Sequence, residues 1–324
     1  MGFSIQILGR AEAKVLLESV LGNNQSPNAD SKDTSNPSDH LKIPDEIIGL
    51  LGVWFNKHHI NGSLFCALRD QQLVGFLFCQ KLGKRGMVWN PVILVPDPPN
   101  SLSDSLIESM LSHLRQEKYI CAQTFMQSTT QKATTPYIRH GFSLLTQAWG
   151  MRRIIHPGRR SLYLSRLLLS WKRYPDWDWP IFREVVEKTW KETRDFPEIA
   201  EICEYEDSLN EFQDIAPDLN HWYLVQSNQE WLGGIILACN PSPLPDSANF
   251  PDWELVYFGV VPEKRNQGFG RTMLDQVIDW IRQAGGGRMF LHVDSRNRQA
   301  VHLYQSNGFE IVRATEVYLS QRLC

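Results

Sequence analysis

The chain has 324 residues, 42% of them hydrophobic and 21% charged, with a formal net charge of −3. That length suits two domains, and ordinary Gly and Pro usage excludes a disordered, collagen-like or low-complexity protein. The small charge gives no general reason to expect nucleic acid, and the longest apolar stretch, Trp231 to Cys239, is nine residues against the roughly 20 a membrane helix needs. Six scattered cysteines (Cys66, Cys79, Cys121, Cys203, Cys239, Cys324) form no C-x-x-C pair. Neither a disulfide framework nor a zinc site is expected, and no metal is assigned. The N-terminal MGFSIQILGRAEAK lacks a signal-peptide layout, and Gln6 argues against myristoylation at Gly2. The expected setting is the cytoplasm, away from membranes.

Residues 22–39, GNNQSPNADSKDTSNPSD, read as a flexible surface insertion. Strand-like runs then follow at Ser63–Leu68, Leu73–Gln80 and Met87–Val95. Ser103–Glu117 has helical spacing, Tyr119–Phe125 reads as a strand, Thr129–Arg139 as a helix, and two strands end near Ile155. The second half repeats that order. Tyr163–Leu169 is strand-like, Pro180–Trp190 and Glu198–Leu209 are helical, and His221–Gln226 with Trp231–Cys239 forms a hairpin around SNQE. Leu255–Val261 is an apolar strand and Gly270–Ala284 an amphipathic helix stopped by Gly285-Gly286-Gly287. Met289–Val293 is a strand, Arg298–Asn307 a helix, and two strands close the chain.

The halves register on each other. Ala133, Tyr137, Gly141 and Phe142 match Ala300, Tyr304, Gly308 and Phe309 at a constant offset of 167. Four matches without a gap point to two copies of one fold, with a boundary near Arg152–Ser161. The expected domains are therefore 1–155, carrying the insertion, and 160–324.

Chemistry concentrates in Glu254–Met273, ELVYFGVVPEKRNQGFGRTM. A buried-looking strand enters a turn holding Arg265, Gly268 and Gly270 and passes directly into a helix. Glycines there let backbone amides approach a ligand, and a new helix N-terminus suits a phosphate or pyrophosphate. Arg265 and Arg271 would add charge-assisted contacts. The string fits neither a Walker loop nor G-x-G-x-x-G; it reads R-x-x-G-x-G. Asn297-x-x-Ala300-x-x-Leu303-Tyr304-x-x-x-Gly308-Phe309 follows on the next helix.

Together these motifs resemble the GNAT superfamily of acyl-CoA N-acyltransferases. The likeness is specific over Glu254–Phe309 and extends in degenerate form to the first half, an arrangement similar to the family's two-domain members. It implies an α/β fold, an α+β mixed sheet built as two tandem GNAT-like domains, each a mostly antiparallel sheet flanked by helices. It implies acetyl-CoA as acyl donor. The Gly268, Phe269, Gly270, Arg271 and Thr272 loop, with Arg265, Asn266 and Gln267, would hold the pyrophosphate. Phe258, Gly259, Val260 and Val261 would pair through their backbone with the pantetheine arm, and Asn297 would contact that arm. Gly259 fits because a strand-interior glycine marks a close approach. Tyr304 would be the general acid for the thiolate. Glu254 would be the general base that an ammonium acceptor with a pKa near 10 requires. A solvated strand-end carboxylate is the plainer reading of Glu254, a packed aromatic that of Tyr304. His292 is an alternative base or a core histidine, and burial explains Cys239.

At the same offset Arg265, Gly268 and Gly270 become Pro98, Ser101 and Ser103, with Asp97 and Asp104 nearby. The first copy is thus not expected to bind acetyl-CoA through this loop. Between Asp176 and Asp218 there are 14 acidic against 4 basic residues. That suits a small-molecule or peptide amine acceptor of cationic character, or simply a solvated helical surface. Trp177 and Trp179 would line the cleft or pack between domains. The reading is an N-acetyltransferase acting by direct attack in a ternary complex. A catalytically silent acyl-CoA sensor or interaction module is the alternative, and the oligomeric state stays open.

Overall fold

A computed structural model describes residues 3–23, 45–56, 61–96, 101–127, 131–158, 167–240, 251–321 and 323. Most of the insertion expected at 22–39, Asp97 and Pro98, and the first part of the run at 163–169 lie outside the described residues. The chain divides into two compact units, Met1–Leu145 with Val317–Cys324, and Thr146–Glu316. These bounds differ from 1–155 and 160–324 because two long strands, described below, contribute residues to both units.

The first unit carries β1 (Ser4–Leu8), α1 (Arg10–Asn23), α2 (Asp45–Asn56), β2 (Gly62–Arg69), β3 (Gln72–Leu82), β4 (Arg85–Val88), β5 (Val92–Ile93), α3 (Leu102–Gln116), β6 (Cys121–Gln127) and α4 (Gln131–Arg139). Strands β1 to β4 pair antiparallel in order, and β4 pairs β6 in parallel. Asp70 and Gln71, at φ 50° and 68°, make the two-residue turn between β2 and β3 whose twist suits a hairpin. The apolar run at 87–95 is not one strand. It breaks after β4 and resumes as β5 against β3, since Pro91 has no N–H to give a ladder. The face of α3 formed by Leu106, Met110, Leu111 and Leu114 packs with Phe65, Leu77 and Tyr137; α1 and α2 cover the other face through Leu17 and Trp54. Elements β1, α1 and α2 have no counterpart among the sequence-based expectations.

Next come β7 (Ser143–Ile155), β8 (Ser170–Arg173), α5 (Trp179–Trp190), α6 (Pro197–Ile202), α7 (Tyr205–Ile215), β9 (Trp222–Ser227), β10 (Glu230–Asn240), β11 (Asp252–Val260), α8 (Phe269–Gln283), β12 (Gly287–Asp294), α9 (Arg298–Ser306) and β13 (Glu310–Gln321). The single helix expected at 198–209 is two helices, interrupted where Cys203 and Glu204 adopt extended backbone. Each pair of strands expected to end a half is one long strand, β7 or β13, and these are the two that straddle the units.

In the second unit β8, β9, β10 and β11 pair antiparallel in order, and β12 pairs β7 antiparallel. The inward stripe of α8 is as its spacing predicts: Met273, Leu274, Val277, Ile278 and Ile281 pack on Met289, Leu291 and Val293. The opposite face is covered by α5 and α7. Trp177 belongs to that aromatic core, and the partly buried Trp179 packs against it. Trp177 lies 4.6 Å from Phe182, and Trp179 lies 5.8 Å from Trp222. Among the described residues no helix is long and apolar enough to cross a membrane.

Candidate active site

Strands β11 and β12 run parallel for only three pairs, Asp252–Arg288, Trp253–Met289 and Glu254–Phe290. Their closed end is riveted: Arg288 Nε and Nη2 donate to the two Asp252 carboxylate oxygens at 2.7 and 2.8 Å. Beyond it, β11 keeps its pairing with β10 as far as Val260, and β12 keeps its pairing with β7 as far as Asp294. Between Ile236 and Leu237 the register slips, leaving Val256 as an extra residue on β11. Such a bulge bends a strand and sharpens its twist. The two strands therefore part after Glu254, and residues 255–260 present a backbone edge without a β12 partner. An edge of this kind takes an extended ligand as an added strand.

The open end of that gap meets the start of α8. Gly268, its N-cap, sits at φ 84°, a left-handed conformation that favours glycine. Its carbonyl accepts from Thr272 N and Thr272 Oγ1 at 3.0 and 3.1 Å, so the helical ladder begins at Thr272. The earlier amides have no intrahelical acceptor, and no side chain caps them. With the helix dipole they form an anion-binding end. A Cβ on Gly270 would lie 3.7 Å from both Phe258 and Val260, so the helix start is seated on β11 itself. Val261 N donates to Leu232 O at 2.8 Å. Asn266 Oδ1 accepts from Gln299 Nε2 at 3.2 Å, and Gln267 Nε2 donates to Glu263 O at 2.7 Å. These two side chains stitch the loop.

Arg265 has a different task from the phosphate contact the motif suggests. Its Nε donates to Val260 O at 2.9 Å, Nη1 to Glu192 O at 3.1 Å, and Nη2 to Thr189 O and Lys191 O, each at 2.9 Å. The guanidinium staples the end of α5 to the loop before α8. Arg265→Ala should therefore lower stability by about 2–4 kcal/mol, read as a thermal midpoint reduced by roughly 5–10 °C, with Arg265→Lys recovering only part of it.

Arg271 is exposed on the first turn of α8 and donates to Ser306 Oγ at 3.0 Å. The equivalent end of α3 carries the opposite charge. Asp104 accepts from Arg139 Nη2 at 2.5 Å and lies 3.2 Å from His140 Nε2, and the bond to Arg139 holds its carboxyl below the usual range. At the offset of 167, Asp104 and Arg139 stand where Arg271 and Ser306 stand. The first turn of α3 thus carries a carboxylate, paired with Arg139 and His140, where the first turn of α8 carries a guanidinium.

Glu254 lies where the strands part, half-buried. It pairs with Ala238, whose side chain belongs to the core beneath α5 and α7, so Glu254 faces that side. Tyr304 is buried on α9 and meets Phe309 edge-on at 5.7 Å. Burial, with Asp195 adding to it, raises its pKa and keeps the hydroxyl protonated. Among the described residues that hydroxyl has no hydrogen-bond partner. Its counterpart Tyr137 is different: it donates to Trp89 O at 2.9 Å. Trp89 matches Val256, the bulged residue, at the same offset. The tyrosine of the first copy is spent on the backbone at the point where its strand breaks.

Asn297 caps α9, its Oδ1 accepting from Ala300 N at 3.3 Å, while its amide nitrogen faces the Asp195 carboxylate. At Gly259 the close approach is made by α5. A Cβ there would lie 2.6 Å from Thr189 Oγ1 and 2.7 Å from Tyr257 Oη. His292 is exposed beside Gly150 and is no core histidine; Cys239 is exposed as well.

Neither residue type nor spacing points to Asp195. It lies in the strap between α5 and α6, where Glu192 and Phe196, at φ 55° and 48°, hold left-handed backbone without glycine. Its Oδ1 accepts from Asp294 N at 2.8 Å, and Asp294 Oδ2 accepts from Phe196 N at 3.3 Å. Burial pushes its carboxyl up to about 6. Asp294 is wholly buried; that burial raises its pKa, but bonds from Arg296 and Thr146 Oγ1 bring the net shift below the usual range. Arg296 continues to Glu198 on α6 at 2.6 and 2.8 Å. The strap thus holds one limb of the gap through Arg265 and the other through Asp294. Asp195 and Asp294 are 99 positions apart, so only the fold brings them together.

A parting pair of parallel strands thus leaves an unpaired strand edge that leads to an uncapped, glycine-led helix start. Residues 173–309 match the Acetyltransferase (GNAT) family, and the second unit carries a GNAT acetyltransferase domain. A mycothiol acetyltransferase of Beutenbergia cavernae is 33% identical over 85 residues, which cover 26% of this chain and 28% of that protein. Over nearly the whole length, the fold is like that of a GCN5-related N-acetyltransferase from Sphaerobacter thermophilus (TM-score 0.62, 14% identity, 98% of this chain and 95% of that one). It is also like that of a tandem GNAT protein from the clavulanic acid biosynthesis pathway (TM-score 0.53, 10% identity, 99% and 98%).

Proposed function

We propose that the second unit transfers the acetyl group of acetyl-CoA to an amine, and that the first unit is a GNAT-like copy that does not bind the donor. The observation that carries this is the gap between β11 and β12 opening onto the uncapped start of α8. Acetyl-CoA brings an activated thioester, so no nucleophilic Ser or Cys is needed. In this reading the amides of 268–272 and the Arg271 guanidinium receive the pyrophosphate. The free edge of 258–261 receives the pantetheine arm as a strand, and an N–H of that edge polarises the thioester carbonyl.

The amine nitrogen attacks the carbonyl carbon, and its proton passes to Glu254 directly or through water. The new C–N bond forms as the C–S bond breaks. The sulfur takes its proton from Tyr304, which regains one from solvent as Glu254 releases its own. The products are the N-acetyl amine and coenzyme A. The acceptor faces α5, α6 and α7, where 14 acidic residues outnumber 4 basic ones between Asp176 and Asp218. A cationic amine is the acceptor class this field favours.

The test is thiol release from acetyl-CoA against a panel of polyamines, amino-sugars and basic peptides, with coenzyme A binding measured by calorimetry. Turnover should be highest with the most cationic amines and should fall as salt is raised. Binding without turnover on any amine, unchanged in Glu254→Gln, would make the domain a sensor. Absence of binding would overturn the assignment of the gap.

A further inference from the structure

The strap between α5 and α6 holds a carboxylate in an unusual position. Asp195 is drawn into the fold without a cation against it. Asp294 N on β12 donates to it at 2.8 Å, and the Asn297 side chain at the start of α9 stands alongside and favours its charged form. The charged and titratable groups around it are Asp294 on β12, Tyr304 on α9 and Tyr257 on β11. Arg296 is committed to Asp294 and Glu198. A half-buried carboxylate beside the wholly buried carboxylate of Asp294 is costly to ionise, and a role confined to packing would be met by Asn. Left-handed Glu192 and Phe196 on either side store further strain in the same short strap.

We propose that Asp195 is a positioning residue for the acyl donor: its carboxylate gathers Asp294 N–H and the Asn297 amide onto one anchor and so fixes the open end of the β11–β12 gap. The proposal rests on the reading of that gap as the donor site. The ionised form makes the stronger anchor, because hydrogen bonds to a charged acceptor are roughly twice as strong as neutral ones. Protonation slackens the end of β12 and the cap of α9 together. Burial, which holds this carboxyl near 6, sets the pH at which that happens.

The measurement is coenzyme A affinity of the full chain by calorimetry from pH 5 to 8, for wild type and Asp195→Asn. Taking the ratio of the two affinities removes the titration of the ligand's own phosphates. The ratio should be about tenfold at pH 7.5 and close to one at pH 5, where wild type is itself protonated. In the same samples Asp195→Asn should melt several degrees higher than wild type at pH 7.5. The folded pKa lies above the unfolded one, so ionisation costs stability as pH rises through 6. Asn297→Ser keeps a capping oxygen but loses the amide donor, and it should weaken binding at pH 7.5 while leaving the Asp195 residue in place. A ratio that stays flat across pH, or full affinity in Asn297→Ser, overturns the role of Asp195 alone. If wild type binds no coenzyme A at any pH, the donor-site reading fails and this inference falls with it.

Discussion

Gly268→Arg should abolish measurable coenzyme A binding while leaving the chain folded. A Cβ at position 268 would meet nothing closer than Leu167 Cδ1 at 3.8 Å, so the fold has room for a side chain there. The cost is conformational. At φ 84° a non-glycine residue carries about 1–2 kcal/mol of strain, and the long side chain stands over the amides of the first α8 turn. We expect affinity to fall at least 100-fold, about 2.7 kcal/mol, with a thermal midpoint only a few degrees lower. Gly268→Ala separates the two effects: it carries the strain without the obstruction and should lose less than tenfold. An affinity for Gly268→Arg within threefold of wild type would show that the ligand does not use this helix end.

The second large effect is expected at Tyr304. Tyr304→Phe removes one oxygen from a buried ring that packs on Phe309 and has no hydrogen-bond partner among the described residues. Stability should hardly change. If the hydroxyl protonates the leaving sulfur, kcat should drop by about 10- to 100-fold with KM for acetyl-CoA within a factor of three. Because burial raises its pKa, the tyrosine stays an acid through the working range, and kcat should show no alkaline decline from this group below pH 10. The same substitution in the first copy supplies the control. Tyr137→Phe loses the bond to Trp89 O, so it should cost about 1 kcal/mol of stability and leave kcat alone. Equal kcat for wild type and Tyr304→Phe would remove Tyr304 from the chemistry.

The sequence is informative where local chemistry is strong. The α8 stripe, the turn at SNQE, and the glycine that must take positive φ at the head of α8 are all legible from residue type and spacing. The two tyrosines could be aligned by offset alone, but not their unequal fates, because those depend on whether a carbonyl at the strand break comes within reach. Arg265 misleads for a similar reason. An arginine in a glycine loop reads as an anion ligand, while here it donates hydrogen bonds to four carbonyls of two segments. Asp195 is illegible because its surroundings are assembled from residues about a hundred positions away. The split of one expected helix into α6 and α7 turns on extended backbone at Cys203 and Glu204, which no propensity marks.

The last strand of the chain carries a consequence for synthesis. Val317–Cys324 belong to the first unit, though they are translated after the whole of the second. Until they emerge, the first unit lacks part of its core, since Tyr318 and Leu323 pack with Phe65, Met110 and Tyr137. A nascent chain therefore cannot finish its first-made half first, as most tandem proteins do on the ribosome. A gene cut at the apparent sequence boundary would yield an N-terminal fragment that lacks these core side chains and has an unsealed edge.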